Sequence, residues 1–122
     1  MSNKAEKQIT VYGLSNCDSC RKAQKWLKAE QVEFEFLDVR KDGVDSIQLS
    51  QWLESEFAPT LINQRSTSWR QLSDSEKKQV EADPVSLLVT YPALIKRPVF
   101  LRGETVIAVG FNADTLKSVL NS

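Results

Sequence analysis

Ile9-Thr-Val-Tyr12-Gly13-Leu-Ser-Asn16-Cys17-Asp-Ser-Cys20-Arg-Lys-Ala23-Gln-Lys-Trp26-Leu27 changes its hydrophobic period halfway along. Ile9 to Tyr12 is a short apolar, β-branched run closed by Gly13, which reads as a strand. From Asp18 to Glu30, Ala23, Trp26 and Leu27 recur at helical spacing between lysines and arginines, which reads as an amphipathic helix. Asn16 or Asp18 is its expected cap. Cys17 then falls at the helix N-terminus, where unpaired N–H groups and the macrodipole favour a thiolate. Arg21 and Lys22 add positive charge in the first turn. That setting lowers a thiol pKa and makes Cys17 a nucleophile at neutral pH. Cys20 lies three residues on, on the same helical face and within disulfide reach, so Cys17 is expected to attack and Cys20 to resolve. Two other readings stand beside this one: a pair of structural thiols, or half a zinc site completed by a second subunit.

Outward from this segment, Val32 to Val39 reads as a second strand with Phe34, Phe36 and Val39 on one face, followed by an Asp42-Gly43 turn. Asp45 with Gln48, and Ser73 with Glu76, are capping-box signals ahead of two helices. The first of these helices carries Leu49, Trp52, Leu53 and Phe57. Asn63 to Arg70 reads as a polar loop, and Pro84 opens a third helix at its first position. Val99 to Leu101, a turn at Arg102-Gly-Glu104, and Thr105 to Val109 form a hairpin. Asn112 caps a last helix with Leu116, Val119 and Leu120 on one face. The order β-α-β, helices, β-β-α is that of an α/β thioredoxin-like fold with an inserted helical subdomain. One domain is expected over residues 9–122, with the insertion at about 45–92 and a loose N-terminal extension at 1–8. Trp26 and Trp52 are expected in the core, Trp69 in the core or at its rim, and Lys77-Lys78 on a solvated face.

Composition excludes several classes. The chain has 122 residues, with 41% hydrophobic and 26% charged, so it is of ordinary globular usage and long enough for a core of its own. Lysine plus arginine equals aspartate plus glutamate at 16 each, which gives no overall field towards nucleic acid. There is no histidine, which removes imidazole catalysis, histidine metal sites and an imidazole pH switch. Two cysteines cannot close a four-cysteine zinc site within one chain. No metal site is expected. No run is long enough to span a membrane and Met1 to Gln8 lacks an apolar signal core. A cytoplasmic monomer that binds neither nucleic acid nor membrane is therefore expected.

Tyr12-Gly-Leu-Ser-Asn-Cys17-Asp-Ser-Cys20-Arg-Lys-Ala23 resembles the active-site segment of the arsenate reductase-like family, which comprises the ArsC, Spx and YffB proteins. Leu61-Ile-Asn-Gln-Arg65-Ser-Thr-Ser-Trp69-Arg-Gln-Leu72 is similar to that family's arginine loop. Tyr91-Pro-Ala-Leu-Ile-Lys-Arg97-Pro98 is similar to its Pro-x-Leu-Ile-x-Arg-Pro signature. The three matches lie in order, and the YffB branch is the most similar. The resemblance implies that Cys17 is the nucleophile, and that Arg65 and Arg97 flank its sulfur and hold an oxyanion or carboxylate. An arginine fork suits such anions; on residue type alone, Arg65 reads as a solvated loop charge and Arg97 as a turn residue. The resemblance also implies a cis Arg97–Pro98 peptide facing the cysteine loop, with Arg97 catalytic and substrate-binding and Pro98 lining the substrate site. It implies a thiol–disulfide oxidoreductase with no bound cofactor, glutathione as co-substrate, and glutaredoxin as a candidate partner. Arsenate reductases of this type carry a further arginine after the last hairpin. Here that stretch is Val109-Gly110-Phe111, so arsenate is not expected as the natural substrate. The second cysteine resembles the Spx redox switch, which makes the alternative a redox-sensing transcription regulator that contacts RNA polymerase.

Overall fold

The computed structural model describes residues 8–121. Most of the expected N-terminal extension, residues 1–7, lies outside them. Four strands, β1 (Ile9–Gly13), β2 (Phe34–Asp38), β3 (Val99–Arg102) and β4 (Thr105–Val109), form one sheet in the order β2-β1-β3-β4. β1 runs parallel to β2 and antiparallel to β3, and β3 pairs antiparallel with β4. Helix α1 (Asp18–Ala29) joins the parallel pair and α6 (Ala113–Leu120) follows the hairpin. Between β2 and β3 lie α2 (Ser46–Leu53), α3 (Thr67–Arg70), α4 (Asp74–Ala82) and α5 (Pro84–Thr90), with 3-10 turns at Ala58–Thr60 and Pro92–Leu94. The topology is the α/β thioredoxin-like one, with the helical insertion where the sequence order placed it.

Each sheet face has its own apolar layer, because strand side chains alternate between faces. Ile9, Val11, Phe100 and Ala108 meet Ala23 and Leu27 of α1 and Leu116 of α6. Tyr12, Val99, Leu101 and Val106 meet Leu49 and Trp52 of α2 and Leu87 and Leu88 of α5. Tyr12 sits edge-on to Trp52 at 5.0 Å between ring centroids, and the Gln48 side chain donates to its hydroxyl at 2.9 Å. Thus α2 is seated on the central strand. Asp45, Ser73, Asp83 and Asn112 all accept from N–H groups of the helices they cap.

Four expectations are corrected. Val39 follows β2 rather than ending it, and it packs in the opposite layer from Phe34 and Phe36, as a period of two requires of an odd position. The polar loop at 63–70 contains the one-turn helix α3, capped by the Ser66 hydroxyl; a single turn has too few positions to show a period. Neither Asn16 nor Asp18 caps α1. Cys17 holds that position, with no side-chain bond to the helix. Trp26 is half-buried against Phe111 at 6.2 Å between ring centroids rather than in the core. Among the described residues no helix is long and apolar enough to cross a membrane.

Candidate functional site

The central strand β1 delivers the Leu14–Asn16 turn to one end of the sheet, and Cys17 begins α1 there. The Cys17 N–H donates to the Leu14 carbonyl at 3.1 Å, and its own carbonyl accepts from Arg21 at 3.0 Å. The turn is fixed from the side by Asp38, at the end of β2. One oxygen of its buried carboxylate accepts from the Ser15 N–H at 3.1 Å and the Ser15 hydroxyl at 3.0 Å. The other accepts from the N–H groups of Arg40 and Lys41 at 2.8 and 3.0 Å. Burial works against the charge, but these donors hold the Asp38 carboxyl down at about 2.

Antiparallel pairing brings the rest of the site to the same end. Tyr12 lies opposite Val99, so Arg97 and Pro98, which precede β3, arrive beside the cysteine turn. Val99 lies opposite Val109, so the exit of β4 arrives there too. The Gly110 N–H donates to the Pro98 carbonyl at 2.8 Å. Pro98 is buried and its peptide with Arg97 is cis. Arg97 is anchored by its own segment, donating to the carbonyls of Ala93 at 2.7 Å and Ile95 at 3.3 Å. Its Nε is buried and has no acceptor among the described residues.

The two thiols are unlike. Burial would push the Cys17 thiol up, but the N–H and thiol of Cys20 and the guanidinium of Arg97 outweigh it and hold it below the ordinary range. Cys20 is fully buried. That burial, reinforced by the adjacent Cys17 sulfur, pushes it up to about 12, against a backbone hydrogen bond from Leu14 and the pull of Arg97. Cys17, half-buried at the helix N-terminus, is therefore the more readily ionised thiol of the pair. The expected contribution of Arg21 is corrected: its guanidinium pairs with Asp18, which offsets its field. The cation that acts on Cys17 is Arg97.

Gly13 makes room for Cys20. A Cβ there would overlap the Cys20 Sγ and come within 3.2 Å of Phe36 Cε1. Gly13→Ala is expected to cost about 1–3 kcal/mol, the range for overpacking. In a Cys20→Ala background the cost should shrink, because the clashing sulfur is gone. Denaturant melts of the four proteins check this, and equal costs in both backgrounds would show that the clash is relieved elsewhere.

Arg65 is placed differently from Arg97. It is exposed on the loop before α3, and its N–H donates to the Asn63 side chain at 3.1 Å. Among the described residues its guanidinium makes no hydrogen bond or ion pair. The loop itself is tied to the Arg97 segment by an antiparallel bridge between Ile62 and Ile95. Asp38 was not singled out from the sequence. Its position at the end of the strand parallel to the cysteine strand was the available signal. A cleft of about 400 Å³ lies between Ser19, Phe57, Lys96, Arg97 and the stretch from Ala108 to Asn112; Ser19 and Arg97 link it to the cysteine turn, and neither cysteine lines it.

The chain is 42% identical over 106 residues to an uncharacterized protein of Haemophilus influenzae, covering 85% of this chain and 91% of that one. It is 27% identical over 113 residues to the regulatory protein MgsR of Bacillus subtilis, covering 91% and 89%. Among solved structures, a YffB protein superposes with a TM-score of 0.84 at 32% identity, covering 93% of this chain and 99% of that one. The family match runs over residues 12–119. Because it takes in the Cys17 turn, the Arg65 loop and the Arg97–Pro98 segment together, the chain belongs to the ArsC family.

Proposed function

We propose that the protein is a thiol–disulfide oxidoreductase that uses Cys17 as nucleophile and glutathione as co-substrate. The observation that carries this reading is the pairing of a half-exposed Cys17 at a helix N-terminus, beside Arg97, with a buried Cys20 thiol behind it. The Cys17 thiolate attacks one sulfur of a disulfide. A Cys17–substrate disulfide forms, the original S–S bond breaks, and the other half leaves as a thiolate. Either a glutathione thiolate attacks the sulfur of the bound half, releasing it as a mixed disulfide and freeing the Cys17 thiolate, or Cys20 attacks the Cys17 sulfur and expels the bound half as a thiolate. In the second case an internal disulfide remains, and two glutathione thiols, or glutaredoxin, supply the two electrons that reopen it. No bound cofactor is required, since the electrons pass between sulfurs. Arg97 stabilises the thiolate, and its unpartnered Nε suits a bound carboxylate or oxyanion. Arsenate fits less well: the exit of β4 offers Val109-Gly110-Phe111 and no arginine. The protein would work as a cytoplasmic monomer.

Mass spectrometry after mild oxidation with glutathione tests this. The wild type is expected to carry glutathione on Cys17 and then lose it as the Cys17–Cys20 disulfide forms. In Cys20→Ser the adduct should form as before and persist at least several-fold longer. Equal lifetimes would remove Cys20 as resolving thiol, and no adduct would remove the oxidoreductase reading.

The similarity to the regulatory protein MgsR supports a second reading, in which the same disulfide switches a surface that docks on RNA polymerase. Capture of the polymerase α subunit that depends on oxidation, without glutathione turnover, is the outcome that favours it.

A further inference from the structure

Lys96 and Arg97 are adjacent, yet both line the cleft that Ser19, between the two cysteines in sequence, also borders. Arg97 is largely engaged: its Nη1 donates to the carbonyls of Ala93 and Ile95 and its charge acts on Cys17, while its buried Nε has no acceptor among the described residues. Lys96 is not: among the described residues its ammonium makes no ion pair. Its backbone is fixed, because its N–H donates to the Leu61 carbonyl at 2.7 Å. Its side chain crosses Gly110, with Cε 3.3 Å from where a Cβ on that residue would stand. Gly110 has φ +82°, a conformation that glycine adopts readily, and its bare backbone is the seat over which the lysine stem lies. The cleft has no acidic residue in its lining, and its far wall is the first turn of α6, with Asn112 and Thr115. The charged residues of that lining are Lys96 and Arg97.

We propose that Lys96 is the cation that selects the substrate of this cleft, favouring disulfides that carry a carboxylate a few bonds from the reacting sulfur. Arg97 holds the thiolate, Lys96 the carboxylate, and Ser19, between the two cysteines, borders both. The inference rests on the oxidoreductase reading and adds to it the residue that discriminates between substrates; Lys96 is exposed, as Arg65 is, but it lines the cleft and Arg65 does not. The Lys96 stem crosses a glycine, so a side chain at position 110 would displace the ammonium as well as strain the backbone.

Two chromogenic disulfides separate the possibilities without requiring turnover: dithiobis-nitrobenzoate, which carries a carboxylate on each half, and neutral dipyridyl disulfide. In each, the Cys17 thiolate forms a bond to one sulfur, the reagent S–S bond breaks, and the departing thiolate is read by its colour. Lys96→Gln is expected to slow the first phase with the anionic reagent roughly threefold to fivefold at low salt, the gap closing as ionic strength rises. Its rate with the neutral reagent should stay within about twofold of wild type, and Lys96→Arg should restore the anionic rate, since it keeps the charge. Arg65→Gln should affect the two reagents alike. Equal slowing with both reagents, no slowing, or a larger anionic loss in Arg65→Gln overturns the assignment to Lys96. A wild-type Cys17 inert to both reagents overturns the oxidoreductase reading itself, and this inference with it.

Discussion

Asp38→Ala is expected to destabilise the protein by about 2–4 kcal/mol and to slow Cys17 at the same time. The carboxylate receives four hydrogen bonds, two from Ser15 and one each from Arg40 and Lys41. A hydrogen bond to a charged group contributes about 1.5–3 kcal/mol net of its exchange with water, and bonds that share one carboxylate do not add. Ser15 stands two residues before Cys17, so losing this anchor loosens the turn that presents the sulfur. Asp38→Asn keeps the size and one acceptor oxygen but turns an NH2 group towards N–H donors, and should fall between the two proteins.

The pH dependence follows from the same group. The Asp38 carboxyl lies near 2 in the folded state and near 4 in an unfolded chain. Above pH 4 both states are ionised and its stabilisation is complete. It is lost as the pH falls from about 4 to about 2, where the folded group takes up its proton. Denaturant melts across that window should show a fall in wild type that is shallower in Asp38→Asn. A cost of Asp38→Ala below about 1 kcal/mol would show that the turn is held by main-chain bonds such as Val39 N–H to Gly13 carbonyl.

Arg97→Ala should reduce alkylation of Cys17 at pH 6 by roughly tenfold or more, and shift the midpoint of its pH profile upward. Below the midpoint of that profile the rate follows the thiolate fraction, and one charge-assisted interaction changes such a population by roughly ten- to a hundredfold. Arg97→Lys should recover part of the loss, because it restores the charge but not the planar fork that reaches sulfur and carbonyls together. Arg65→Ala should leave the profile in place. Its guanidinium makes no hydrogen bond or ion pair among the described residues. Binding of sulfate or glutathione, followed by calorimetry, should weaken more in Arg97→Ala than in Arg65→Ala. An unchanged alkylation profile in Arg97→Ala would leave the helix N-terminus and the Cys20 donors as the whole cause of the lowered thiol.

The sequence by itself determined the elements and the chemistry that is local to them. The strand, turn and helix around Cys17, the capping boxes at Asp45 and Ser73, Pro84 at a helix start and the β3–β4 hairpin are all written in contacts a few residues long. Such contacts fix backbone conformation without reference to the rest of the chain. The Cys17–Cys20 pair was legible for the same reason, since three residues on a helix set their separation. Tertiary structure decided which groups act on that pair. Arg97 reaches Cys17 because β3 runs antiparallel to β1, whereas Arg65 stays exposed although both arginines stood in recognisable segments. Asp38 joins the site because β2 ends level with β1. Lys96 turns into the cleft because Gly110, across the hairpin, offers no side chain to stop it. Each of these depends on the register of strands distant in sequence, and neither composition nor periodicity encodes register between segments.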